Sequence, residues 1–100
     1  MSELPKILYH VTTAKKVKRY HQAGKIIGPV RGFDTLMGAM AWAMKTGRKV
    51  ILEVRPFDPV QMMPDHHNKY GKAYWTNSVG MNWCKCEYSA EGSFKKVEGI

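Results

Sequence analysis

Leu8-Tyr9-His10-Val11-Thr12-Thr13, running at once into Ala14 to Ala23 and then Gly24, is the most informative feature of the chain. In an extended chain alternate side chains share a face, so His10 and Thr12 point one way while Tyr9 and Val11 point the other. An imidazole and a hydroxyl at that spacing can both hydrogen-bond one ligand lying across the end of the strand. Thr12 or Thr13 then supplies a side-chain oxygen to cap a helix opening at Ala14. That helix places Val17, Tyr20 and His21 on its inner side, and Gly24 stops it. A strand over Lys6 to Thr12 leading directly into a helix sets the pattern for the first half of the chain.

Charge follows the same division. Residues 1–49 carry ten Lys/Arg against Glu3 and Asp34, whereas residues 50–100 carry six of each sign. The whole net charge of +8 therefore sits in the first half. Such asymmetry points to an anionic partner: a nucleotide, a nucleic acid or an acidic protein surface. Lys15, Lys16, Lys18 and Arg19 crowd the start of the first helix, where the peptide dipole disfavours cations. An anion held there would offset that cost, which makes these four the candidate anion-binding set.

Further along, Ile26-Ile27-Gly28-Pro29-Val30 is a short extended piece broken by a Gly-Pro turn. Asp34 or Thr35 caps a second helix, Leu36 to Lys45, which Gly47 ends. Leu36, Met37, Met40, Ala41, Ala43 and Met44 surround most of that helix, so it is expected to be buried, with its Met and aromatic side chains in the core. Val50 to Val54 is a β-branched strand ended before Pro56. Phe57 to Asn68 has no periodicity and reads as a loop. Trp83 to Ser89 alternates, and Ala90-Glu91-Gly92 turns it into Phe94 to Val97 as a terminal hairpin. The expectation is one small α+β domain over residues 1–100, with two N-terminal helices packed on a mostly antiparallel sheet.

Several classes fall away. No apolar run approaches the ~18–20 residues that cross a bilayer, and Met1-Ser2-Glu3-Leu4-Pro5 does not read as a signal peptide, so a soluble cytoplasmic protein is expected. Cys84 and Cys86 do not close a normal disulfide across one residue. With His66 and His67 they have the inventory for zinc, but the spacing fits no common finger, and no metal site is assigned. No P-loop or dinucleotide glycine motif is present. Tyr70, Tyr74, Trp75 and Trp83 interleave with Lys69, Lys72 and Lys85. That suits single-stranded nucleic acid, although packing around the rim of a small core is the favoured reading.

The front half of the chain resembles the ADP-ribosyltransferase-like fold, the superfamily of diphtheria-toxin-type transferases, poly(ADP-ribose) polymerases and RNA 2′-phosphotransferases. Leu8-Tyr9-His10-Val11-Thr12 looks like its first strand with an H-x-T motif, and Ala14 to Gly24 like the helix that follows. Gly32-Phe33-Asp34-Thr35 with Gly38-Ala39-Met40-Ala41-Trp42-Ala43 looks like the second motif, and Val50 to Val54 like the next core strand. The resemblance implies NAD as cofactor, with His10 and Thr12 on the nicotinamide-side ribose and Phe33 stacking on the nicotinamide. Arg31 and the Lys15–Arg19 run would meet phosphates. A late-strand acid is also implied, because an oxocarbenium-like centre needs a carboxylate aimed where charge develops. Glu87 is the candidate, sharing a strand face with Trp83, Lys85 and Ser89, and Glu53 is the lesser one.

This chain is short for that family, and its second motif lacks the expected tyrosine. A non-catalytic basic binding module is therefore the alternative: a phage-type inhibitor, or a binder of nucleic acid or of an acidic protein, using the positive N-terminal half.

Overall fold

The chain, seen in a computed structural model, is described over residues 5–26, 28–77, 79–80, 84–89 and 95–98; within the last two stretches the description covers the backbone and the Tyr88 side chain. Strand β1 (Leu8–Thr12) leads into helix α1 (Ala14–Ala23), and the polypeptide continues through β2 (Lys25–Ile26) and β3 (Val30–Phe33) to α2 (Leu36–Thr46). Then come β4 (Val50–Val54), β5 (Gln61–Met62), a 3-10 turn at Pro64–His66, β6 (Ala73–Thr76), β7 (Val79–Gly80), β8 (Cys84–Ser89) and β9 (Lys95–Glu98). The class is α+β, and both helices fall in the first half of the chain. They are interleaved with strands rather than gathered ahead of the sheet.

Both helices begin and end where local chemistry requires. Thr13, not Thr12, caps α1: its backbone is extended and its hydroxyl accepts from the Lys16 N–H at 3.2 Å. Thr35, not Asp34, caps α2 by accepting from the Gly38 N–H at 3.1 Å. The Thr35 hydroxyl also donates to the Tyr70 carbonyl at 2.7 Å, tying the helix start to a distant loop. Each helix stops at a glycine in the left-handed region, Gly24 at φ 74° and Gly47 at φ 73°, which residues with a Cβ rarely adopt.

Seven strands form one sheet in the order β5-β6-β3-β1-β4-β8-β9, and β2 pairs with β7 separately. All the described pairings are antiparallel. The alternation of β1 divides the core. On the α1 side Leu8 joins Val17, Ile26, Val30, Leu52, Val54, Val60, Tyr74 and Val79. On the α2 side Val11 joins Phe33, Ala39, Ala43, Ile51 and Ala73. Each fully buried aliphatic side chain in these layers contributes about 1.5–3 kcal/mol of burial free energy.

Helix α2 departs from the expectation of all-round burial. It lies on the sheet through Gly38, Ala39 and Ala43, while Met37 is 61% and Met44 76% exposed. Small residues allow the close approach, and the long Met side chains are left outside. His21 is likewise exposed rather than inward. The stretch read as a loop contains β5, and β6 went unread because Ala73-Tyr74-Trp75-Thr76 is too short for its alternation to stand out. Tyr74 is buried in the core, consistent with packing. The β8–β9 pairing forms the expected hairpin, whose turn residues Ala90, Glu91 and Gly92, with Trp83 and Phe94, lie outside the described residues.

Strand β1 is paired unequally on its two sides. It matches β4 over five residues, Leu8↔Val54 to Thr12↔Val50, but meets β3 at Tyr9↔Phe33 alone. Beyond that rung the regular ladder between β1 and β3 is interrupted. A Cβ at Gly32 would sit 2.9 Å from the Leu8 Cβ and 3.0 Å from the Tyr9 carbonyl oxygen, so the two strands are in close contact there. Gly32→Ala is expected to destabilise the fold by about 1–3 kcal/mol through overpacking against backbone. Urea denaturation measures this, and an unchanged midpoint would refute the close approach.

Candidate functional site

Beside the interrupted β1–β3 pairing lies a cleft of about 520 Å³ that draws lining residues from both faces of the sheet. On the α1 side stand His10, Lys16, Arg19 and Tyr20. On the α2 side stand Val11, Phe33, Trp42, Met63, His66 and Ala73. Arg31 from β3 and Arg48 from the α2–β4 connection complete the charged part of the wall. The cleft thus has a cationic portion and an aromatic portion. Among the described residues no carboxylate lines it.

His10 links β1 to β3 where their ladder is interrupted. Its Nδ1 lies 2.6 Å from the Arg31 carbonyl oxygen, and its Nε2 lies 3.1 Å from the Tyr20 hydroxyl. A carbonyl only accepts, so Nδ1 carries the proton and donates to it, which leaves Nε2 to accept from Tyr20. The Tyr20 proton is then committed, and the Thr12 hydroxyl, 3.4 Å away, donates to the phenol oxygen. The result is a directed chain, Thr12 to Tyr20 to His10 to the Arg31 carbonyl, which links α1 and β1 to β3.

Burial pushes the His10 imidazole down to about 4, against an ordinary value of 6.5; the bond to the Arg31 carbonyl pulls the other way, and the Lys16 and Arg48 charges lower it further. Neutral His10 is what the hydrogen-bond chain needs, since a protonated Nε2 could not accept from Tyr20.

The residues singled out in the sequence divide between the cleft and other places. His10, Arg31 and Phe33 line it. Thr12 is fully buried and reaches the cleft only through Tyr20. Of the four candidate anion-binding residues, Lys16 and Arg19 line the cleft, whereas Lys15 and Lys18 are exposed outside it. Helical spacing explains this, because positions 16, 19 and 20 share one face. Phe33 is nearly buried and packs at 6.3 Å from Trp42, whose half-buried ring offers the larger accessible surface.

Glu53 faces α2 and accepts from the Tyr88 hydroxyl at 3.3 Å, outside the cleft. The Glu87 backbone pairs with Leu52, which itself pairs with His10, two strand spacings or about 10 Å away. Its side chain lies outside the described residues, as do those of Cys84 and Cys86. His67 is engaged locally, with Nδ1 accepting from the Ala73 N–H at 2.7 Å. His66 instead turns its ring toward Trp42 at 6.1 Å.

Tyr20, Trp42, Arg48, Met63 and His66 had no assigned part in a binding site. The signal for Tyr20 was its position four residues after Lys16 on the same helical face. Arg48 had only a general one, a cation just past the Gly47 cap. Met63 and His66 had none, because a loop carries them to the cleft.

Comparison of the chain with protein-family models, with curated proteins and with solved structures returns no match.

The depressed His10 value links folding to pH in one direction. With the folded value below the unfolded one, the neutral form is favoured by folding, so the stabilisation is complete above about 6.5 and is lost as pH falls toward 4. The loss is expected to reach at most about 3 kcal/mol. Histidine-resolved NMR titration with denaturation at several pH values checks it; a His10 titrating near 6.5 would show that the imidazole is not buried as described.

Proposed function

We propose that this protein binds a phosphorylated nucleotide, NAD or a close relative, in the cleft between β1 and β3, as an ADP-ribosyltransferase-like protein. The observation that carries the reading is the make-up of that cleft: an oriented neutral His10, four cations, an aromatic wall and no described carboxylate. Phosphates suit Lys16, Arg19, Arg31 and Arg48, with arginine offering paired donors in a planar fork. A flat ring suits the wall of Trp42 and Phe33. Tyr20, fixed by His10 and by the buried Thr12 hydroxyl, presents its phenol oxygen to a ribose hydroxyl. Thr12 is then a positioning residue rather than a ligand contact.

The order of elements supports the family reading. Strand, helix, short strands, helix and strand follow one another as the resemblance implies, with the H-x-T motif on the strand that borders the cleft. In that reading Glu87 stabilises positive charge developing on the ribose as nicotinamide leaves. Binding without turnover is the second reading, favoured by the absence of a carboxylate from the described lining.

Isothermal titration with NAD at low and at physiological salt tests the proposal. Saturable binding that His10→Ala removes is the expected result, and no heat at either salt would overturn it. Glu87→Gln separates the two readings: an enzyme keeps its affinity and loses nicotinamide release by more than about a hundredfold, as loss of a transition-state electrostatic group does. A wild-type protein that binds NAD and releases no nicotinamide would leave binding alone.

A further inference from the structure

The cations lining the cleft are part of a larger group. Residue Thr12, just before α1, pairs with Val50, just after Arg48 and Lys49. This register brings the start of α1 beside the α2–β4 connection. The Arg48 Nη1 donates to the Val11 carbonyl at 3.4 Å, holding that connection against the end of β1. The start of α1, the helix that carries Lys15, Lys16, Lys18 and Arg19, therefore lies beside the connection that carries Arg48 and Lys49.

Nothing described neutralises them. Asp34 accepts from the Lys72 N–H at 2.8 Å, and Glu53 is bonded to Tyr88 on the α2 side. Asp58 faces Asn77 at 3.4 Å, and Asp65 sits on the 3-10 turn. A small ligand in the cleft would use Lys16, Arg19 and Arg48 but leave the exposed Lys15, Lys18 and Lys49 outside it unused. A polymer of anions would use both groups.

We infer that the cleft also takes a nucleotide of a single-stranded nucleic acid, whose neighbouring phosphates run over Lys15, Lys18 and Lys49. The inference rests on the nucleotide reading of the cleft and adds the chain that bears the nucleotide. An acidic protein would satisfy the outer cations but has no flat group for the wall of Trp42 and Phe33. A duplex would satisfy the phosphate contacts but keeps its bases stacked, and a base must leave the stack to enter a pocket.

Fluorescence anisotropy with a short labelled single strand of mixed sequence, beside calorimetry with NAD and with a mononucleotide, tests this. The strand is expected to bind about tenfold or more tightly than the mononucleotide, and a duplex of the same sequence to compete poorly. Lys15→Gln combined with Lys18→Gln is expected to lower the slope of log K against log salt by ~1.4, at ~0.7 per lost phosphate contact, while NAD affinity stays the same. Arg31→Gln, within the cleft, should weaken both ligands. If NAD binds but the strand binds no better than the mononucleotide, the cleft reading stands and this inference falls. Strand binding that Arg31→Gln leaves unchanged, or that poly-glutamate displaces as well as unlabelled strand does, also overturns it. If Arg31→Gln weakens the strand and NAD does not bind, the inference is supported and the NAD reading is the one that fails.

Discussion

The hydrogen bond from His10 to the Arg31 carbonyl ties β1 to β3 where the ladder between them is interrupted. On one side β1 is paired to β4 along its whole length, and on the other it pairs with β3 at a single rung. Backbone groups left out of a ladder need other partners, from side chains or from solvent. His10 supplies one partner, and Tyr20 and Thr12 hold the imidazole in the tautomer that can do it. The cleft lies beside this interrupted pairing, and His10 is part of its wall.

The electrostatics of the cleft follow from the same geometry. Burial keeps His10 neutral, and Lys16 and Arg48 work in the same direction. An anion entering would relieve the crowding of Lys16, Arg19, Arg31 and Arg48, which have no described acid among them in the cleft wall. The sheet register, more than any local motif, assembles these charges. Arg31 arrives on β3, Lys16 and Arg19 on α1, and Arg48 on the connection into β4.

Much of the frame was legible along the chain. The ends of α1 and α2 were marked by threonine caps and glycine stops, and β1 and β4 by alternation and β-branching. What was not legible came from packing. The apolar circumference of α2 suggested burial on every side, yet close contact with the sheet selects Gly38, Ala39 and Ala43 and leaves Met37 and Met44 outside. Composition reports what a residue can do, and the distance between layers decides which residue does it.

The candidate site divides along the same line. His10 and Arg31 could be picked out from the sequence because the H-x-T motif and the charge excess are local features. Of the other lining residues, Tyr20 has a signal in its helical spacing from Lys16 and Arg48 a general one just past the Gly47 cap, whereas Met63 and His66 have none, since a loop carries them to the cleft. The elements, their caps and the basic character of the first half are readable along the chain, because these depend on backbone geometry and charge within a few residues. Assembly of the sheet settles that β1 meets β3 at a single rung, that Thr12 is buried beneath Tyr20, and that Lys16 and Arg19 line the cleft while Lys15 and Lys18 do not. Those outcomes depend on long-range register and helix orientation, which are properties of the assembled sheet.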